Sequence, residues 1–249
     1  MAINKFVLRD KFELGVHAAL AAGREVNKAI MEEGRATVLI AAAPSQTETL
    51  RRYLEIPDID HSKITYLHMD EYVGISDRHP ASFRNYVRTH LIDPLEKRGT
   101  PPKAVFYLQG DAPDLEAEID RLNLLFNKEK IHVGLCGIGE NGHLAFNDPP
   151  CRMNTFDAFL SVDLDDVCRQ QQVNDGCFQT IEEVPKKAIS MSVPCMIEIG
   201  YLICSVPGTR KAQAVNRTLK SEPTPDVPAS YLKLANCDLF LDRDSAALL

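Results

Sequence analysis

The chain has 249 residues, with 28 Lys and Arg against 35 Asp and Glu, a net charge of −7. That balance excludes a general binder of nucleic acid or acidic membrane, which needs a basic face. It leaves an anionic metabolite open, since a few local donors outweigh a weak global field. With 45% hydrophobic and 25% charged residues the chain is not disordered. A single α/β domain of this length, residues 1–249, buries about three quarters of its unfolded surface and needs no staples.

The first fifteen residues, MAINKFVLRDKFELG, lack the basic-then-apolar pattern of a signal peptide. No apolar run approaches the roughly 20 residues of a membrane span. The seven Cys are scattered without a C-x-x-C pair, which excludes a zinc knuckle and fits free thiols in a reducing compartment. The expected location is cytoplasmic.

In chain order, residues 10–33 read as a long amphipathic helix. Residues 36–42 (ATVLIAA) form a continuous apolar run, as in a strand covered on both faces. A short helix is expected over 46–54 and a strand over 64–69. One or two helices follow over 79–97, then a strand over 104–108. Residues 115–127 carry Leu115, Ile119, Leu122 and Phe126 on one helical stripe. Strands are expected at 131–136, 188–193 and 201–206, a helix at 209–219, and a last strand at 239–242. Strands alternating with helices predict an α/β fold with a mostly parallel sheet and helices on both faces. In such folds the ligand lies at the carboxyl ends of the strands.

Four polar segments fall near such ends. In His68-Met69-Asp70-Glu71-Tyr72-Val73-Gly74, strand alternation puts His68 and Asp70 on one face with Asp70 at the end of the strand. A carboxylate there can act as a general base or simply cap the next loop. The segment Gly137-Ile138-Gly139-Glu140-Asn141-Gly142 is a formal G-x-G-x-x-G match after a strand. A dinucleotide fingerprint needs a helix to follow, but Asn147-Asp148-Pro149-Pro150 ends any regular element within two turns. The glycines instead suit a turn that lets backbone approach a ligand and presents His143, a side chain fit for proton transfer near neutral pH. Asp148, five residues on, can accept from its imidazole. A buried structural histidine is the alternative. His143 and Asp148 are two possible metal ligands without a supporting motif.

Pro207-Gly208-Thr209-Arg210-Lys211 leads into a helix, and a helix N-terminus beside a Lys is an anion site or a solvated basic turn. Ser45-x-x-Glu48 reads as a capping box, whose neighbouring Ser45 and Thr47 hydroxyls can also meet a phosphate.

Together these segments resemble the glucosamine-6-phosphate deaminase (isomerase) family. Met69-Asp70-Glu71-Tyr72-Val73-Gly74 followed by His79-Pro80-Ala81-Ser82, the long segment from Gly137 to Pro149, and Gly208-Thr209-Arg210-Lys211-Ala212 match its motifs in order over nearly the whole chain. The resemblance implies a three-layer α/β/α sandwich of Rossmann-like type without a nucleotide. It implies conversion of an amino-sugar phosphate to a ketose phosphate and ammonia, with no redox cofactor and no metal. Asp70 matches the base that moves a proton between carbons 2 and 1, and His143 the residue that opens the sugar ring. Asn141 and Asp148 match its polar supports. Lys211, Arg169, Ser45, Gln46 and Thr47 stand where the family holds substrate and phosphate.

Four departures are visible. Asn141 stands where many members have Asp, and Asp148 where Glu is common. Pro44-Ser45-Gln46-Thr47-Glu48 replaces a glycine-rich phosphate loop, and Arg169 is the only arginine near the family's phosphate-binding arginine. The related 6-phosphogluconolactonases follow Gly-His with Thr-Ala-Ser-Leu-Phe, whereas Leu144-Ala145-Phe146-Asn147 stands here. A sugar-phosphate lactonase and a non-catalytic sugar-phosphate sensor are the competing functions. The expected partner is a small amino-sugar phosphate, with neither nucleic acid nor membrane, and a homo-oligomer is compatible.

Overall fold

The computed structural model describes residues 3–126 and 129–249. Helix α1 (Lys11–Glu33) starts where the Asp10 carboxylate accepts from the N–H groups of Phe12 and Glu13. It stops at Gly34, whose φ of 72° lies in the left-handed region that glycine enters without penalty. Leu14, Ala18, Ala22 and Val26, four residues apart, form its buried face.

Seven strands make the main sheet: β1 (Asn4–Leu8), β2 (Ala36–Ile40), β3 (Ile64–His68), β5 (Ala104–Phe106), β6 (Val133–Cys136), β9 (Tyr201–Val206) and β10 (Cys237–Asp242). Their order is β1-β10-β9-β6-β2-β3-β5 and every pair is parallel. Period-two alternation explains the apolar runs. Val38 and Ile40 of β2 enter the core under α1 and α2 (Thr47–Leu54), while Leu39 between them enters a second core on the opposite face. That second core contains Leu122 of α5 (Leu115–Phe126) and Val215 of α8 (Ala212–Lys220). Asn127, expected to end α5, lies outside the described residues. The three-layer α/β/α sandwich is the architecture found.

A second sheet, β4 (Asp70–Tyr72), β8 (Lys187–Met191) and β7 (Phe159–Asp163), is antiparallel in the order β4-β8-β7. It corrects two expectations. Asp70 does not end the strand over 64–69; it begins β4. Met69 is the crossing point, its N–H donating to Ile40 of the main sheet and its carbonyl accepting from Met191 of the second. The 188–193 segment is a strand only to Met191, and that strand belongs to the small sheet because its partners are the 70–72 and 159–163 strands; Val193 already opens the short helix α7 (Val193–Ile197). Strand β1 had no expectation, since four of its five residues are exposed and show no alternation. The 79–97 region is one run of helical turns, α3 (Phe83–Val87) and α4 (Asp93–Lys97) joined through a π-turn at Arg88–Ile92.

Strand β2 lies between β3 and β6, and the chain leaves β2 toward β3 but leaves β6 toward β9. The loops after β2 and β6 therefore diverge, opening a crevice at the carboxyl ends of these strands.

Candidate active site

A cavity of about 60 Å³ occupies that crevice, and Gln46, Asp70, His143, Gln172, Asp175 and Lys211 are among its lining residues. It adjoins a wider cleft of about 760 Å³, with Ser45, Asp175 and Lys211 bordering both.

Asp70 is 6% exposed. Burial, followed by the neighbouring Glu71 charge, pushes its carboxyl well above the usual carboxylate range. Among the described residues no side chain or N–H donates to that carboxylate. Its backbone, by contrast, is fixed. His68 is fully buried, and burial holds its imidazole down to about 4, hence neutral. Its Nε2 accepts from the Leu108 N–H at 3.0 Å, so Nδ1 carries the proton and donates to the Asp70 carbonyl at 2.8 Å. Glu71 points the other way. Its carboxylate accepts from the N–H groups of Tyr72, Phe83 and Arg84 and from the Ser82 hydroxyl, at 2.8–3.1 Å. It thereby caps the start of α3 and ties β4 to it.

His143 sits on the loop after β6. A Cβ at Gly139 would lie 2.2–2.3 Å from the His143 ring, so only glycine lets the ring lie against that backbone. The Nδ1 of His143 is 3.1 Å from Asp148 Oδ1. Asp148 is also held by Asn141 Nδ2 at 2.9 Å and by the Asp165 N–H at 3.0 Å. Burial raises the Asp148 carboxyl, but the His143 bond and charge and these further donors leave it below its ordinary value. An ionised Asp148 only accepts, so His143 donates from Nδ1 and leaves Nε2 as the basic nitrogen. His143, Asp148 and Cys168 form a group of possible metal ligands with donor atoms within 4.8 Å of one another. The Asp148 oxygens are already committed to three donors, and burial holds the Cys168 thiol protonated, so the group reads as a hydrogen-bonded network.

The far end of the cavity is built from α6 (Asp166–Asn174), the loop after β2 and the turn before α8. Asp165 caps α6, accepting from the Cys168 N–H at 2.6 Å. Gln172 accepts from the Tyr72 hydroxyl at 2.6 Å, and Gln171 from the Glu140 N–H at 2.8 Å. Arg210 bridges Asp175 at 2.6 Å and Glu140 at 3.3 Å. Lys211 is 7% exposed, and its ammonium has no ion pair within 4.0 Å among the described residues. Burial lowers its pKa against the opposing pull of Asp175 and Glu140.

Two curated proteins named glucosamine-6-phosphate deaminase align over most of the chain. The one from Streptococcus sanguinis is 32% identical over 226 residues, covering 90% of this chain and 92% of its own. The one from Lactobacillus delbrueckii is 29% identical over 244 residues, 98% of each chain. A solved structure described as a monomeric glucosamine-6-phosphate deaminase superposes with a TM-score of 0.88 at 26% identity, over 99% of this chain and 100% of that one. The chain belongs to the glucosamine-6-phosphate deaminase family. No family model matches it. A 6-phosphogluconolactonase from Thermotoga maritima, at TM-score 0.77 and 14% identity over 96% of this chain and 99% of that one, shares the fold alone.

Among the residues the deaminase resemblance singled out, the cavity wall gathers Ser45, Gln46, Asp70, His143 and Lys211. Asn141 and Asp148 stand behind the His143 ring and do not line it. Thr47 lines the wider cleft and not the cavity, and its hydroxyl pairs with the Tyr86 hydroxyl at 2.9 Å. Arg169 does not reach the cavity. Its guanidinium donates to the carbonyls of Ile181 and Val184 and to Asp166, pinning the 181–184 turn. Those three acceptors, two of them in the 181–184 turn packed against α6, take up the guanidinium, while Gln171 and Gln172 of α6 and Asp175 at its end line the cavity. The capping box is not formed either. Ser45 accepts from Gln46 Nε2 at 3.3 Å, and Glu48 pairs with Arg51 and Arg52. Gln171, Gln172 and Asp175 are cavity residues that sequence motifs did not single out. Their spacing on a helix opening at Asp165 was the available signal.

Proposed function

We propose that this protein is an amino-sugar-6-phosphate deaminase that converts glucosamine 6-phosphate and water to fructose 6-phosphate and ammonia. The observation that carries the reading is the pairing, in one cavity, of an unbonded buried carboxylate with a histidine whose tautomer is fixed. His143 Nε2 is suited to shuttle the proton from the anomeric hydroxyl to the ring oxygen, while Asp148 stabilises the imidazolium that forms between the two transfers. In the open aldose, Asp70 takes the proton from carbon 2 and returns it to carbon 1, while the carbon-1 oxygen gains the proton that the substrate ammonium gives up. Carbon 1 becomes the alcohol and carbon 2 an iminium. Water adds there and ammonia leaves, giving the ketone. The raised Asp70 pKa makes it a stronger base than an exposed carboxylate.

The cavity opens into the wider cleft at Ser45 and Lys211, and a buried ammonium without an ion pair there supports placing the phosphate at that junction. The same reading takes residues 1–249 as one catalytic unit in the cytoplasm. Seven unpaired cysteines support that location, and among the described residues no helix is long and apolar enough to cross a membrane. The test is ammonia release and ketose formation from glucosamine and galactosamine 6-phosphates. Binding of both sugars without ammonia from either overturns catalysis and leaves a sensor, and hydrolysis of a sugar-phosphate lactone instead assigns a lactonase.

A further inference from the structure

Gln46 is 3% exposed and lines the cavity, and among the described residues no donor reaches its buried Oε1. Its orientation is fixed from the other end. Nε2 donates to the Ser205 carbonyl at 2.9 Å and to the Ser45 hydroxyl at 3.3 Å. Both partners accept from the amide, so the nitrogen belongs on that side and the oxygen is left as the free acceptor. A Cβ at Gly137 would stand 2.7 Å from Nε2, so the first glycine of the loop after β6 makes the room that this amide fills. A buried carbonyl oxygen without a donor is costly unless a ligand supplies one. A phosphate dianion has only acceptors to offer it, whereas a hydroxyl has a proton. The loop that in the resembling family surrounds phosphate with backbone donors therefore presents an acceptor here.

We propose that Gln46 is a specificity-determining residue that accepts a hydrogen bond from a sugar hydroxyl, leaving the phosphate to Lys211 and Ser45. The proposal rests on the deaminase reading, and that reading narrows which hydroxyl it is. Carbons 1 and 2 react, the ring oxygen leaves as the carbon-5 hydroxyl on the side of His143 that protonates it, and carbon 6 carries the phosphate. Only the hydroxyls on carbons 3 and 4 remain.

The experiment compares glucosamine 6-phosphate with its 3-deoxy and 4-deoxy analogues, in the parent protein and in Gln46→Met. Calorimetric Kd and kcat/KM are both measured. The parent should bind one of the two analogues about tenfold to a hundredfold more weakly than the full sugar, the cost of leaving one buried acceptor unsatisfied. Gln46→Met should lose affinity for the full sugar and bind it and that analogue equally, while its ratio for the other analogue stays as in the parent. Gln46→Glu, which keeps an acceptor, should retain the discrimination if Gln46→Met fails to fold. Equal binding of all three sugars by the parent overturns the proposal, as does a discrimination that survives Gln46→Met. Because Kd reads the contact without turnover, absence of ammonia release counts against the deaminase reading and leaves the Gln46 result standing.

Discussion

The two ends of the cavity are held in different ways. At the reacting end, each side chain that supports the chemistry has its partners inside the protein. His68 fixes the Asp70 backbone, Asn141 and Asp165 fix Asp148, and Asp148 fixes the His143 tautomer. At the far end, the single Arg210 cation is shared between the two carboxylates Asp175 and Glu140, and among the described residues the Lys211 ammonium has no ion pair and the Gln46 carbonyl oxygen no donor. Preorganisation at the first end spares reorganisation during proton transfer. At the second end the Lys211 ammonium and the Gln46 oxygen, and at the first only the Asp70 carboxylate, are left to pair with the substrate.

The strongest way to break this contrast is Asp70→Asn. Turnover should fall by about 10²–10⁴ with substrate binding nearly unchanged, as read by kcat against calorimetric Kd. Exchange of the carbon-2 proton with solvent deuterium at the parent rate would remove Asp70 as the base. The same variant tests the charge state. Burial raises the folded pKa of Asp70, so its contribution to stability is complete below the ordinary carboxylate range and is lost as pH rises through the raised value. Asp70→Asn removes that loss. Its melting temperature should gain on the parent as pH rises from 4 to 8, and a constant difference would mean the pKa is not raised.

Next in size, His143→Gln should cost about 10² or more on the closed-ring sugar and far less on an open-chain analogue. Equal losses on the two would take ring opening away from His143. Smaller again, Lys211→Met should weaken a 6-phosphate sugar by about one to two decades, the value of a charge-assisted contact. The unphosphorylated sugar should be almost unaffected, and no change for either would place the phosphate elsewhere. The smallest effect on substrate belongs to Arg169→Gln. KM should stay at the parent value, while the urea midpoint falls by the equivalent of about 1–3 kcal/mol from the unsatisfied carbonyls of Ile181 and Val184. A raised KM for phosphorylated sugars only would return Arg169 to the phosphate.

Asp70 and His143 were legible as candidates because each follows an apolar strand with its own turn chemistry nearby. That the Arg169 guanidinium is held by the 181–184 turn was not legible, because a residue's direction on a nine-residue helix follows from what that helix packs against, and nothing local in Cys168-Arg169-Gln170-Gln171-Gln172 says which side is solvent, turn or cavity. The partner of the Thr47 hydroxyl was hidden for the same reason, since Tyr86 is 39 residues away.

The sequence by itself determined the parallel core, because a run such as Ala36-Thr37-Val38-Leu39-Ile40 is stable only with both faces buried. It also set polar segments at the carboxyl ends of those strands, where such a sheet holds its ligand. Tertiary structure alone decided that Asp70 opens a second, antiparallel sheet, since that depends on Ser190 lying beside it. It decided too that the Gln46 oxygen is the free end of its amide, because the partner that orients it, Ser205, is 159 residues away. Periodicity reports which faces of a segment are buried. The direction of a polar side chain is set by partners that come together only when the chain has folded.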